Sequence, residues 1–266
     1  MTMPRTARLP GVEGNTPGNT AVLRLPRGRT YHQIFMEYAG VTLAQMTELR
    51  LVINGDVALR YKGATLLSLL GVFEGRSAAS GVLTIDFDRY NLRSKDAEEL
   101  TSIGTGDPND PTPITSMSLE IDIDADATAP LFTLTARTSP ASSVGLIKSV
   151  KNFTYTPAGS GEYDITDLQL GPVMNRIMLQ SDKITRVRIE RDDTIIFDRT
   201  KALNAVIQAD GVRVPNADYF IIDPTEFGNG ASGIITGGVQ AFNVKLTMSE
   251  GAAVPVLIEY LDGIGI

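Results

Sequence analysis

The feature that most constrains the fold of this 266-residue chain is an internal repeat. The stretch LVINGDVALRY, which begins at Leu51, is echoed by IERDDTIIFDR, which begins at Ile189. A two-residue turn divides each stretch, Asn54-Gly55 in the first and Asp192-Asp193 in the second. Alternation of apolar and polar residues is typical of β-strands, and Asn-Gly is a preferred pair in type I′ hairpin turns. The sequence therefore predicts two equivalent β-hairpins.

The repeat extends beyond the hairpins. Each hairpin is followed by a short helical pattern and then by a strand, VLTIDFD in the first half and DYFIIDP in the second. The segment SLEIDIDADATAPLFTLTA, from Ser118, is then mirrored by NVKLTMSEGAAVPVLIEYL, from Asn243. Each unit spans about 120 residues, enough for an eight-stranded sandwich of the jelly-roll type. We predict an all-β fold of two tandem eight-stranded jelly-roll β-sandwiches, with short helices in the loops at 64–71, 96–104 and 201–208.

Composition indicates where the two units begin and end. Residues 1–20 are rich in Gly, Pro, Thr and Asn and show no period, which predicts an extended N-terminal arm. A small polar stretch at 137–145 separates the units. We therefore expect the first jelly roll over 21–138 and the second over 145–266.

Two predicted strands carry acidic residues at alternate positions. In VLTIDFD, Asp86 and Asp88 are expected on a charged outer face. In the strand that begins at Ser118 and in the turn after it, the same alternation involves a set of three aspartates. These are Asp122, Asp124 and Asp126.

The spacing of these three aspartates is that of the start of an EF-hand calcium loop. Such a loop also needs Gly at its sixth position and Glu at its twelfth, where this chain has Ala127 and Thr133. A solvated acidic hairpin and a calcium site therefore both stay open. Asp107, Asp110 and Glu250 are further candidates for binding a divalent cation.

The net charge of −7 argues against a nucleic-acid binder, because neutralising phosphates requires clustered Lys and Arg. We expect no direct, specific binding to nucleic acid. The absence of cysteine excludes disulfides and thiolate zinc sites, and it fits synthesis in a reducing cytoplasm. The chain has no apolar run long enough for a membrane span, and its first residues lack the apolar core of a secretory signal.

The first 30 residues are basic although the chain as a whole is acidic. They contain one glutamate and five arginines, Arg5, Arg8, Arg24, Arg27 and Arg29. A solvated tail and an arm that docks on an acidic surface both explain this charge.

Signals for catalysis are weak. His32 is the only histidine, and no cysteine, nucleophile elbow or phosphate-binding loop accompanies it. We expect His32 on a strand surface and no enzymatic activity. A carbohydrate-binding sandwich of an adhesin or tail protein is the alternative function, although the chain lacks tryptophan for stacking on sugars.

The collinear segments LPRGRTYHQIFMEYAGVTLAQMTELRLVINGDVALRYKG (25–63), SLEIDIDADATAP and VLIEYLDG carry a family resemblance. The chain resembles the major capsid proteins of corticovirus-type bacteriophages, which are icosahedral viruses with an internal membrane. The resemblance implies a structural double jelly-roll protein, located in the virion capsid after synthesis in the bacterial host cytoplasm. It also implies homotrimers that form pseudo-hexagonal capsomers and a shell lattice.

The same resemblance implies further partners. These are the penton and inner membrane proteins of the virion. The basic charge of the first 30 residues adds two alternatives for the five arginines, which are lipid headgroups or a neighbouring subunit. No cofactor is required, and calcium in the shell is the one ion implied, with Asp122, Asp124 and Asp126 as its first candidate ligands.

Overall fold

The computed structural model describes residues 5–76, 80–106 and 113–263. The chain divides into two compact units. Met1–Val150 together with Asp262–Ile266 forms the first unit, and Lys151–Leu261 forms the second.

The first sandwich contains nine strands and two helices among the described residues. Its elements are β1 (Arg5–Arg8), β2 (Thr20–Arg24), β3 (Arg29–Ala39), β4 (Met46–Ile53), β5 (Asp56–Tyr61), α1 (Ala64–Phe73), β6 (Val82–Asp86), α2 (Lys95–Glu99), β7 (Ile103–Gly104), β8 (Met117–Ile123) and β9 (Leu131–Pro140). One sheet has the strand order β1-β9-β3-β6, with the short β7 also paired to β3. The other has the order β2-β8-β4-β5.

The second sandwich repeats this arrangement, and the start of its first strand (Ile147–Val150) and the last residue of its final strand (Asp262) belong to the first unit. Its elements are β10 (Ile147–Tyr155), β11 (Gly161–Ile165), β12 (Val173–Gln180), β13 (Ile184–Arg191), β14 (Thr194–Thr200), α3 (Lys201–Gln208), β15 (Tyr219–Ile222), β16 (Ile234–Ile235), β17 (Phe242–Met248) and β18 (Val254–Asp262). One sheet has the order β10-β18-β12-β15, with β16 on β12, and the other has the order β11-β17-β13-β14.

Each strand of the first sandwich has a counterpart at the same place in the second. Counting the long strands, each sandwich has two four-stranded sheets, and β7 and β16 are two-residue additions at equivalent positions. The predicted fold of two eight-stranded jelly rolls in tandem is confirmed. The three helices also lie in the predicted regions.

The two hairpin turns explain why the repeat is visible in the sequence. Asn54 and Gly55 have φ angles of 53° and 93°, and Asp192 and Asp193 have φ angles of 46° and 62°. Two consecutive residues with positive φ are characteristic of a type I′ turn, which Asn, Asp and Gly tolerate best. Both predicted hairpins are therefore confirmed.

The first residue of each turn also fixes a distant strand. Asn54 Oδ1 accepts hydrogen bonds from the backbone N–H groups of Thr115 (2.7 Å) and Ser116 (3.2 Å), just before β8. Asp192 Oδ1 accepts from Gln240 (2.9 Å) and Ala241 (3.0 Å), just before β17. This position favours Asn or Asp for two reasons: the side-chain oxygen accepts these hydrogen bonds, and both residues tolerate a positive φ angle.

The core of each sandwich follows the alternation in the sequence. In β8, Leu119, Ile121 and Ile123 are buried, while the residues between them are partly exposed. In β17, the equivalent residues Val244, Leu246 and Met248 are buried in the same pattern. In these two strands, one apolar face supplies the packing between the two sheets.

The expected N-terminal arm over residues 1–20 needs correction in its described part. Arg5–Arg8 forms β1, which pairs antiparallel with β9, and Glu13 forms a bridge with Val22. Three of the four residues of β1 are exposed, because this strand lies at a sheet edge and is held by its backbone. Such a strand needs no apolar alternation, which is why the sequence lacks the signal.

Candidate functional site

Strand register gathers most of the N-terminal arginines at one end of the first sandwich. Arg5 pairs with Thr138 near the end of β9, and Arg29 pairs with Pro140 in the same region. Arg24 ends β2, and Arg27 lies in the connection from β2 to β3. We call Arg5, Arg24, Arg27 and Arg29 the basic end. Arg8 lies three residues further along β1, about 10 Å away at the usual rise of a strand.

The charge of the basic end is not compensated by any carboxylate of the residues that the structure describes. Arg5, Arg8, Arg24 and Arg27 are exposed, and within the described ranges none of the five arginines forms an ion pair with a carboxylate. Their role against a membrane or a neighbouring subunit stays a prediction.

Asp122 lies at the opposite end of the same sandwich, where it pairs with Thr20 at the start of β2. Its carboxylate accepts two hydrogen bonds from Arg50, at 2.7 and 2.9 Å, and one from the Thr20 hydroxyl at 2.6 Å. Partial burial alone would raise the pKa of Asp122, but the bonds from Arg50 and Thr20 outweigh it and hold the pKa below its usual value.

Asp124 and Asp126 lie in the turn after β8 and have different partners. Asp124 Oδ1 accepts the backbone N–H of Asp126 at 2.8 Å, which closes the turn locally. The carboxylate of Asp126 is exposed and has no bonded partner in the described part of the chain. We call Asp122, Asp124 and Asp126 the acidic end.

The three aspartates do not converge on one point. Among the described residues, the only group of three His, Asp or Glu side chains whose ligand atoms lie within 4.8 Å of one another is elsewhere, at His32, Asp88 and Glu99. Glu250 is paired with Lys183 at 2.7 Å, and Asp107 and Asp110 lie outside the described residues. Calcium binding at the acidic end stays a prediction.

His32 is not on a strand surface, as the sequence had suggested, because its side chain is 2% exposed. Its Nδ1 lies 3.0 and 3.2 Å from the two carboxylate oxygens of Asp88, and its Nε2 lies 2.9 Å from Ser139 Oγ. Glu99 Oε1 lies 4.0 Å from Nδ1. These residues form a buried polar cluster in the first unit.

The predicted charged outer face of VLTIDFD is also wrong. Asp88 is buried and accepts a hydrogen bond from Arg137 at 3.2 Å. The side chain of Asp86 is 9% exposed, and Arg76 donates to it at 2.7 Å. Burial, followed by the nearby charge of Glu74, raises the pKa of Asp86 to about 6. Burial is possible because basic partners distant from these aspartates in sequence compensate them.

The second unit has an open groove along β14, the edge strand of its sheet. The cavity has a volume of about 320 Å³, and its lining includes Arg191, Ile196, Phe197, Arg199, Phe227 and Ile234. We call these six residues the β14 groove. Phe227 is 64% exposed at its rim. Ile195 and Ile235, which are next in sequence to the lining residues Ile196 and Ile234, are 53% and 57% exposed.

Ion pairs hold the segment that carries Phe227. Arg199 donates two hydrogen bonds to the Glu226 carboxylate, at 2.6 and 3.1 Å. The buried Arg213 donates to Asp223 and to the backbone carbonyls of Thr225 and Glu226, each at 2.8 or 2.9 Å. These contacts hold the backbone of the segment that carries the exposed Phe227 ring.

The equivalent edge strand of the first unit is β5, and its residues that face the core are buried. The cross-strand pairs with β4 and β13 make Val57 equivalent to Ile195 and Leu59 equivalent to Phe197. Leu59 is 2% exposed, whereas Phe197 is only partly buried at the groove. The two halves thus share a fold but differ at this edge, a difference that the alignment of the repeats alone does not reveal.

Among the described residues, no helix has the length and apolar character needed to cross a membrane.

Comparisons with known proteins agree with this architecture. Residues 6–139 match the family described as viral coat protein P2 N-terminal domain, and residues 147–264 match the viral coat protein P2 C-terminal domain. The major capsid protein P2 of Pseudoalteromonas phage PM2 is 23% identical over 253 residues, which cover 92% of this chain and 91% of that protein.

Solved structures show the same fold. The crystal structure of the major capsid protein P2 from bacteriophage PM2 superposes with a TM-score of 0.91 at 22% identity, covering 98% of both chains. A chain of the Sulfolobus turreted icosahedral virus superposes with a TM-score of 0.70 at 12% identity, covering 99% of this chain and 92% of that one.

The two equivalent sandwiches and these matches define a double jelly-roll capsid protein. The chain belongs to the viral coat protein P2 family, whose two domain descriptions together span most of it. It is a structural major capsid protein of the corticovirus type, located in the virion capsid. The resemblance found in the sequence is confirmed.

The pairing of Asp122 with Arg50 predicts a pH-dependent contribution to stability. Because the folded state lowers the pKa of Asp122, the contribution is complete above the unfolded value of about 3.9 and is lost as the pH falls through the folded value. Asp122→Asn should lower the free energy of unfolding by about 1 kcal/mol at pH 7, since the pair is partly exposed. The difference from the wild type, measured by urea unfolding, should shrink towards acid pH.

The matched control is Asp126→Asn, which removes an unpaired carboxylate from the same turn region. It should leave the free energy of unfolding nearly unchanged at both pH values. A pH-independent loss of stability in Asp122→Asn would contradict the electrostatic account.

Proposed function

We propose that this capsid protein forms homotrimers that act as pseudo-hexagonal capsomers in the shell of a membrane-containing icosahedral bacteriophage. Two similar sandwiches per chain and three chains per trimer would present about six similar edges, which suits hexagonal tiling. Penton and inner membrane proteins would be the other partners, and synthesis would take place in the host cytoplasm.

The observation that carries the self-association is the β14 groove. A capsid protein must contact copies of itself, and apolar side chains exposed together beside a cavity mark such contacts. Ile196 and Phe227 supply that apolar surface in the groove itself, and Ile195 and Ile235 continue it on the adjoining strands. Within the described residues, Arg191 makes a hydrogen bond to the Ile235 carbonyl but no ion pair. We therefore place a second copy of the chain against this groove.

Replacing one exposed apolar residue of the edge strand β14 should weaken self-association. Ile195→Asp should reduce the association constant at least tenfold, which corresponds to about 1.4 kcal/mol, because a carboxylate would lose its hydration in the interface. Val57→Asp is the control, since Val57 is the structural equivalent in the first unit and is 40% exposed. Sedimentation velocity would give the mass of each variant relative to the 28.6 kDa chain.

The wild type and Val57→Asp should sediment at three times the chain mass, and Ile195→Asp should shift towards the monomer. A wild type that stays monomeric would refute the homotrimer. A trimer that is insensitive to Ile195→Asp would refute only the placement of the interface.

We further propose that the basic end faces anionic lipid headgroups beneath the shell. An arginine near an anionic bilayer contributes roughly 1 kcal/mol, so three copies of this end would bind together although each contact is weak. Arg5, Arg24 and Arg27 are exposed and have no carboxylate partner in the described part of the chain, which supports this orientation.

Charge reversal at the basic end should therefore abolish lipid binding. The double variant Arg24→Glu with Arg27→Glu should no longer float with vesicles of phosphatidylglycerol and phosphatidylcholine at low salt. Lys62→Glu is the control, because Lys62 is exposed just after β5, at the end of the sandwich that carries Asp122. Loss of trimers with unchanged flotation would instead assign the arginines to a neighbouring subunit.

Calcium at the acidic end is proposed to join neighbouring copies, because acidic subunits repel one another unless cations bridge them. Asp124 and Asp126 are better placed for this than Asp122, whose carboxylate is held by Arg50. A chelator at low ionic strength should dissociate assembled particles. Excess Ca²⁺ added together with the chelator should prevent this dissociation. Particles that stay intact in the chelator would contradict the proposal.

We propose no catalytic role for the chain. The hydrogen-bond sequence Ser139, His32, Asp88 has the connectivity of a hydrolase triad. The imidazole is 2% exposed, however, so its nitrogens are turned inward and serve the surrounding side chains.

A further inference from the structure

We propose that His32, Asp88 and Glu99 form a binding site for a divalent transition metal ion such as Zn²⁺. The site lies within the first unit and is separate from the acidic end, because His32 is near the start of β3 and Asp122 is at the other end of the sandwich. It would tie together three elements that are distant in sequence.

The three side chains approach from three elements. His32 lies on β3, Asp88 follows β6, and Glu99 ends α2. His32 Nδ1 is 3.0 and 3.2 Å from the oxygens of Asp88 and 4.0 Å from Glu99 Oε1. An ion with ligand bonds of about 2.0–2.2 Å places its ligand atoms roughly 3 to 4 Å apart, so a metal ion fits between these atoms after small side-chain adjustments.

Neighbouring polar groups form hydrogen bonds that orient His32 and Asp88. The Ser139 hydroxyl lies 2.9 Å from His32 Nε2, and it orients Nδ1 towards the carboxylates when it accepts the Nε2 proton. Lys148 Nζ donates to the backbone carbonyls of Asp86 and Asp88, at 3.3 and 2.7 Å. Arg137 donates to Asp88 Oδ2, which leaves Oδ1 for a metal. Such outer contacts are a regular part of metal sites.

A proton on Nδ1 satisfies only part of the cluster. This proton would form a hydrogen bond with the Asp88 carboxylate. Glu99 Oε1 is too far from Nδ1 for a hydrogen bond, and this buried oxygen has no hydrogen-bond partner among the described residues. Lys95 Nζ lies 3.3 Å from the same oxygen without hydrogen-bond geometry, and its side chain is half exposed. A metal ion would bond to all three residues at once.

The ligand set selects the class of metal. One imidazole and two carboxylates suit Zn²⁺ or Mn²⁺, whereas Ca²⁺ prefers a shell made of oxygen atoms alone. Lys95 can turn into solvent when a divalent ion binds, and Arg137 and Lys148 are then the cations that remain beside the two carboxylates.

The test uses the full-length chain, stripped with EDTA, dialysed and titrated with Zn²⁺. We expect one Zn²⁺ per chain by calorimetry and by metal analysis after gel filtration. Because His32 is the only histidine, its two imidazole ¹⁵N resonances need no assignment among residues. Zn²⁺ should move the Nδ1 resonance to a metal-bound position and leave Nε2 protonated.

Two variants on α2 separate the site from a general charge effect. Glu99→Gln should weaken Zn²⁺ binding at least tenfold, while Asp96→Asn, an exposed residue of the same helix with the same charge change, should leave it unchanged. Glu99 is 29% exposed, so its variant should fold, and circular dichroism would verify this. His32→Gln should abolish the ¹⁵N signature and the binding together.

The proposal is overturned if Zn²⁺ does not bind stoichiometrically, if binding survives Glu99→Gln, or if the Nδ1 resonance does not respond. Ca²⁺ that competes equally with Zn²⁺ would also overturn it, because the imidazole would then have no part in selection. These outcomes leave the capsid function untouched, since trimer mass is measured separately.

Discussion

The structure depends on one interaction that occurs twice, the capture of a distant backbone by the first residue of a hairpin turn. Asn54 Oδ1 and Asp192 Oδ1 each accept two backbone N–H groups just before β8 and β17. These two strands lie inside their sheets, where each pairs with a strand on both sides. Their register decides which residues face the core, because a slip of one residue would turn the apolar face outward. A short polar side chain thus sets the position of a strand 48 to 62 residues away, although hydrogen bonds of this kind contribute only about 1 kcal/mol each.

The two halves share this device but differ at the sheet edges, where function is expected. The β5 edge buries Leu59 and Tyr61, while the equivalent residues of β14, Phe197 and Arg199, border an open groove. An exposed apolar edge strand is a liability in an isolated protein, because it presents unpaired backbone groups and apolar side chains to any neighbour. A protein that assembles with copies of itself can retain such an edge, since assembly covers it. The divergence of the repeats at this position is therefore explained better by a partner than by the fold.

Much of the fold was predictable because it depends on local patterns. The alternation in β8 and the turn residues of both hairpins gave the strands, and their repetition gave two sandwiches. The buried charges were not predictable, because the partners of Asp86 and Asp88 include Arg137 and Lys148, which lie about 50 to 60 residues further along the chain. An aspartate on a strand face looks the same in sequence whether it meets water or a buried arginine. The strand β1 was missed for a different reason, since backbone pairing at an edge leaves no pattern in the side chains.

The residue types of the candidate sites could be predicted from the sequence, but their positions in the fold could not. Sequence counts identified five arginines and three aspartates, and only the register showed that most of the arginines lie at one end of the first sandwich and Asp122 at the other. Among the described residues, arginines without carboxylate partners lie at one end and the exposed carboxylate of Asp126 lies at the other, so an anionic surface would attract the first end more strongly. The net charge of −7 does not reveal this difference between the two ends, because it counts charges without regard to where they lie. In the proposed shell over a lipid surface, this difference in charge would help to distinguish the two ends of the subunit. The arrangement of charge, more than its amount, would orient the capsomer.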